Sequence, residues 1–87
     1  MKVVDPAERA RVLRAIDWEE QSRRLLKSEL ARSGVSYKVL AARLQAMGIP
    51  DNEAAIASRV SRGKFTLTFF LQCMTAVEVE EVSLRLR

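Results

Sequence analysis

Apolar residues recur at helical spacing along most of this chain, and polar start and stop signals cut the pattern into short pieces. Asp5-Pro6-Ala7-Glu8 reads as a helix start, with Asp5 as N-cap and Pro6 at the first helical position. Ala7, Ala10, Leu13 and Ile16 then form one stripe. Asp17-Trp18-Glu19-Glu20 repeats the start signal, which favours a break or kink there over one continuous rod to Ser33. Beyond it, Trp18, Leu25, Leu26, Leu30 and Ser33 share one face, and Arg23, Arg24 and Lys27 share the opposite one. Gly34 ends this helix as a left-handed cap.

The next stretch is a succession of turns and short helices. Val35-Ser36-Tyr37-Lys38-Val39-Leu40 starts a helix with Ser36 as cap and Val35 stapled onto Leu40; it runs to about Met47, with Val39, Leu40, Leu44 and Met47 at helical spacing. Gly48-Ile49-Pro50-Asp51 is a turn, and Asp51 or Asn52 caps the next helix. The following helix spans Asn52 to Arg62 and stops at Gly63. Its Ile56 and Val60 face inward, Asp51, Ala54, Ala55, Ser58, Ser61 and Arg62 face outward, and Arg59 lies at the edge. Phe65 to Leu71 alternates as a strand would. Thr66 as cap and a Phe65–Phe70 staple nevertheless favour a helix to Val77, in which Leu67, Phe70, Leu71, Met74 and Val77 form one stripe. This helix is apolar nearly all round, so it is expected at the buried centre of a bundle. After Val77 the period changes: Val82, Leu84 and Leu86 alternate with Ser83, Arg85 and Arg87, a short strand signature. Such a strand could pair with Met1 to Val4 or with the same tail of a second copy.

The expected fold is therefore all-α, a compact bundle of four to five helices containing a helix-turn-helix, with a short C-terminal β-strand. Residues 1–17 are expected as an N-terminal helical extension, 18–77 as the helix-turn-helix domain, and 78–87 as a tail that is either a dimerisation strand or disordered. At 87 residues the chain supports one modest core. With a lone Cys73 and no histidine, neither a disulfide framework nor a zinc site is expected, and Cys73 reads as a buried, inert thiol. No apolar stretch is long enough for a secretory signal or a membrane span, so a cytoplasmic location is expected.

Charge changes the picture by where it sits. From Arg32 to Lys64 there are six bases against the two acids Asp51 and Glu53, which is the whole +4 excess of the chain. A cationic excess confined to this unit suits a phosphate-bearing partner. Enzyme chemistry finds no support. The acid pairs Glu19-Glu20 and Glu80-Glu81 are adjacent on the chain and point about 100° apart on a helix, so they do not converge. No nucleophile–base pair or glycine-rich phosphate loop is present, and no cofactor is expected.

Val35-Ser36-Tyr37-Lys38-Val39-Leu40-Ala41, then Ile56 to Arg62, then Gly63-Lys64 and an apolar helix, resemble the phage-repressor-like (lambda repressor-like) helix-turn-helix superfamily. More narrowly, Leu26 to Leu30, Ser61 to Phe65 and Phe69 to Cys73 resemble a family of small bacterial proteins of unknown function. Both resemblances run from about Trp18 to Leu84. The broad one implies a DNA-binding transcriptional regulator, with duplex DNA as partner and a homodimer as the working state. Tyr37 stands where that family usually has Gln, and the turn Gly48 to Glu53 is longer than the family's.

On this reading Arg59 and Arg62 would fork onto guanine or phosphate, and Lys38, Arg43 and Lys64 would hold phosphates. Ser36 and Tyr37 would add donors at a helix start, Asn52 could read adenine or merely cap, and Ser58 would permit close approach. The acids Asp51 and Glu53 would repel phosphates near the reading end. The alternative is a protein-interaction module, a dimerisation or partner-binding adaptor, that keeps this fold without sequence-specific DNA reading.

Overall fold

The computed structural model describes residues 5–84, which are all-helical, with five helices and no strand among them. They are α1 (Pro6–Arg14), α2 (Trp18–Ser33), α3 (Tyr37–Ala46), α4 (Glu53–Arg62) and α5 (Leu67–Ala76). Each begins at a side chain that accepts from its first turn. Asp5 takes the Ala7 N–H, Asp17 the Glu20 N–H and Ser36 the Val39 N–H. Asn52 takes the Ala55 N–H at 2.8 Å and Thr66 the Phe69 N–H at 3.0 Å. Each cap satisfies one otherwise orphaned donor and contributes about 1 kcal/mol. The break at Asp17 is present, and Gly34 and Gly63 end α2 and α4 in the left-handed conformation.

Helices α2 to α5 share one core. Leu26 and Leu30 of α2, Leu40, Ala41 and Leu44 of α3, Ile56 and Val60 of α4, and Phe69, Cys73 and Met74 of α5 are all buried in it. Helix α3 packs on both α4 and α5, and α2 packs on α4. Phe65 stacks on Phe70 with ring centroids 6.5 Å apart, as its place before the α5 cap implies. Helix α1 contributes no buried residue. The molecule extends 49 Å along its longest axis, with a radius of gyration of 15.5 Å, where a compact chain of this length would have about 12 Å.

Several expectations give way to tertiary packing. The C-terminal strand is not formed among the described residues; past α5 the chain turns at Glu78, whose φ is 60°, and runs without regular structure to Leu84. Of the tail's apolar residues Val79 and Val82 pack against the helical core, whereas Leu84 is exposed. Leu86, and the pairing candidate Met1 to Val4, lie outside the described residues. Helix α5 is not buried all round: Phe69, Cys73, Ala76 and Val77 point inward, whereas Leu67 and Leu71 are 71% and 56% exposed. Trp18, Val39 and Met47 are also largely exposed, as is Ser33, and the half-buried Leu25 leaves Leu26 and Leu30 to anchor α2.

Glycine at position 63 does more than cap. A Cβ built there would lie 2.3 Å from the Glu19 carbonyl oxygen, so α4's end rests directly on the backbone of α2. At Gly34 the same φ sign occurs with open space around it. Gly34→Ala should cost about 1 kcal/mol from left-handed strain alone, whereas Gly63→Ala should cost about 2–4 kcal/mol because α2 must also move. Thermal unfolding followed by circular dichroism checks this; equal losses in melting temperature would refute the close contact.

Candidate nucleic-acid interface

The outward side of α4 is built from short side chains. Its buried positions are Ile56 and Val60, which leaves Ala54, Ser58, Ser61 and Arg62 on one exposed stripe spaced by four, three and one residues. Two sets of contacts hold the helix in place. At its far end Arg23 Nε donates to the Ser61 carbonyl at 3.1 Å, and Gly63 lies against Glu19. At its near end Gln45 Nε2 donates to the Asp51 carbonyl at 2.6 Å.

Asp51 and Arg59 depart furthest from the sequence reading. Asp51 was expected outward, yet its side chain is 3% exposed. Its carboxylate accepts from Arg59 through both terminal nitrogens, Nη1 at 2.6 Å and Nη2 at 3.2 Å, and one of its oxygens also accepts from the Asn52 N–H. The Arg59 guanidinium also lies over the Phe69 ring, 4.7 Å from its centroid. Arg59 is thus engaged on one side by a buried carboxylate and on the other by an aromatic face. Its work here is to fasten α4 to the turn before it and to α5. The expected repulsion at the start of α4 shrinks accordingly: Asp51 is withdrawn and neutralised, and Glu53 is the acid left exposed there.

The remaining predicted residues fall into place around this helix. Ser36 and Asn52 act as caps of α3 and α4. Tyr37 is half-buried against the core, and Lys38 beside it is exposed at the start of α3. Arg43 Nη1 donates to the Ala76 carbonyl at 3.2 Å, which serves the carboxyl end of α5. Arg62 Nε donates to the Ser58 carbonyl at 3.4 Å and is otherwise exposed. Lys64, 74% exposed, lies 3.7 Å from Glu19, a distance at which a surface pair contributes little. Lys38 at the start of α3 and Arg62 and Lys64 at the end of α4 are therefore the exposed cations among these residues. The Asp51–Arg59 pairing was not visible in the sequence, because eight residues and a helix cap separate the two, outside the three- and four-residue spacings that bring side chains together on one helix.

Cys73 is completely buried, and burial together with nearby Asp51 raises its thiol from 9.0 to about 12, with Arg59 acting in the opposite sense. Such a thiol is protonated and unreactive at neutral pH. Among the described residues no helix is long and apolar enough to cross a membrane, and no group of three or more ligating side chains could hold a metal ion.

A family model described as a domain of unknown function (DUF6471) matches residues 18–82, much the same stretch as the narrower sequence resemblance. Comparison with curated proteins and with solved structures gives no match.

Arg59→Met should cost about 3 kcal/mol, since it leaves the Asp51 carboxylate buried without a cation. Asp51→Asn/Arg59→Met together should cost less than Arg59→Met alone. Denaturant unfolding of wild type, Asp51→Asn, Arg59→Met and the double variant tests the pairing, and additive losses would contradict it. For Cys73 the folded thiol titrates higher than the unfolded one. Its contribution to stability is therefore complete below pH 9 and lost as pH rises from 9 towards 12, by up to about 1.4 kcal/mol per pH unit. Chemical denaturation of wild type and Cys73→Ala across that range should show the extra loss in wild type alone.

Proposed function

The chain belongs to this family, whose description carries no activity, and from the interface itself we propose that it is a small DNA-binding regulator. In this reading α3 and α4 act as a helix-turn-helix of the phage-repressor-like kind, and α4 enters the major groove of duplex DNA. The observation that carries it is the exposed stripe Ala54, Ser58, Ser61 and Arg62 on a helix held at both ends by other contacts. Short side chains let the helix backbone come close to base edges, and Arg62 at the end of the stripe supplies a fork for guanine or phosphate. Lys38 and Lys64 hold the phosphate backbone on either side, and Arg43 joins them when its guanidinium turns from the end of α5. Arg59 is a positioning residue in this reading and not a reader. A homodimer presents two such helices to two half-sites.

The second reading, an interaction module without sequence-specific DNA reading, has one observation in its favour. Leu67 and Leu71, one turn apart on α5, expose an apolar pair of the kind that marks a protein contact.

Fluorescence anisotropy with a random-sequence duplex at two salt concentrations separates the two readings. Under the DNA reading, affinity falls steeply with salt, and Lys64→Ala weakens binding to every sequence while reducing the log–log salt slope by about 0.9. Arg62→Ala costs about 1–3 kcal/mol, and more on a preferred sequence than on a random one if it contacts a base. Absence of salt-dependent binding at micromolar protein would overturn the DNA reading in favour of the interaction module.

A further inference from the structure

Among the five described helices α5 alone carries no charged residue. Its outward side is one face, since Leu67, Leu71 and Thr75 follow at four-residue spacing and all three are exposed. The two leucines are 71% and 56% exposed. Thr75 adds no unmet polar group, because its hydroxyl already donates to the Leu71 carbonyl at 2.9 Å.

Charge gathers at the two ends of this helix instead. Arg62 and Lys64 are exposed before it, and Glu78, Glu80 and Glu81 are exposed after it. The segment thus runs from a cationic end, through an uncharged helix, to an acidic end. It is also symmetric about Leu71. Leu67 and Thr75 stand four residues to either side, and Lys64 and Glu78 stand seven to either side.

A strip of this order complements itself when reversed. Two α5 helices laid antiparallel across a two-fold axis set Leu71 against its own copy and Leu67 against Thr75. A long side chain then faces a short one, which lets two helices approach closely. The same arrangement puts the cationic end of each helix beside the acidic end of the other, whereas a parallel arrangement would set like charges together. The uncharged middle matters for a chain of net charge +4, since two copies meet there without opposing like charges.

We propose that two copies of this chain associate through α5, antiparallel and centred on Leu71. The proposal rests on the homodimer of the DNA reading in that it names its interface, but it requires no DNA and is tested without it. It moves the contact from the C-terminal tail to α5. A pair of ten-residue helices, each about 15 Å long, makes a small interface, so the dimer should dissociate on dilution.

Sedimentation equilibrium of the full chain, from micromolar to millimolar concentration, should show a mass rising from 9.8 kDa towards twice that value. Leu71→Asp sets two carboxylates on the axis and should raise the dissociation constant about a hundredfold. Lys64→Glu and Glu78→Lys should each raise it about tenfold, because a two-fold pair contains every charge contact twice. The double variant Lys64→Glu/Glu78→Lys exchanges the two ends and should return the constant to within about threefold of wild type. All three positions are exposed, and unchanged helical circular dichroism verifies that each variant folds. A chain that stays monomeric throughout overturns the proposal, and so does a dimer that survives Leu71→Asp. A double variant no tighter than its single parents overturns the antiparallel pairing and the proposal with it. Each of these failures counts against this contact alone, because the DNA reading is judged by anisotropy.

Discussion

A carboxylate taken out of water must keep a cation beside it, and Asp51 meets that requirement through Arg59. The pair sits where the long turn hands the chain over to α4, and Phe69 of α5 closes the other side of the guanidinium. One side chain therefore ties together the entry to α4, the body of α4 and the face of α5. Helix α4 needs such a fastening because it puts only Ile56 and Val60 deep into the core. Two aliphatic side chains bury enough surface to hold a helix against the bundle, but they leave its rotation and tilt loosely specified.

The other end of α4 is held by different means. Gly63 removes a side chain where the backbones of α2 and α4 meet, and Arg23 satisfies a carbonyl at the last turn. With both ends held, the outer stripe of Ala54, Ser58 and Ser61 can remain short and polar without loss of order. A surface with few rotatable atoms loses little entropy when a ligand approaches. The same contacts sort the basic residues. Arg59 and Arg43 are engaged with the fold itself, whereas Lys38, Arg62 and Lys64 are exposed to solvent.

The amino-terminal helix and an open groove along α2 belong to a separate part of the molecule. Trp18 and Leu25 alternate with charged residues there, so α2 is amphipathic on two sides: Leu26 and Leu30 serve the core, and Trp18 and Leu25 face the groove. A single helical wheel merges these into one broad face, so the sequence reads Trp18 as a core or interface position without deciding between them; it is half exposed.

Four helix starts were legible residue by residue and that of α4 to within one, Asp51 or Asn52, because a cap is a local device: Asp5, Asp17, Ser36, Asn52 and Thr66 each bond within three residues of themselves. The stops at Gly34 and Gly63 were legible for the same reason, and so was the concentration of positive charge between Arg32 and Lys64. Three things depended on neighbours distant in sequence. The rotation of α5 could not be read from a segment apolar on all sides; it follows from Phe69 meeting Arg59 and from Cys73 filling the centre. The course of the tail depends on Val79 and Val82, three residues apart, finding the helical core, a spacing that a period of two does not describe. The fate of Asp51, exposed by its pattern and buried in fact, depends on a guanidinium two turns along the next helix. Local hydrogen bonds and local charge are written in the order of residues, whereas burial and pairing are decided when separate helices compete for the same space.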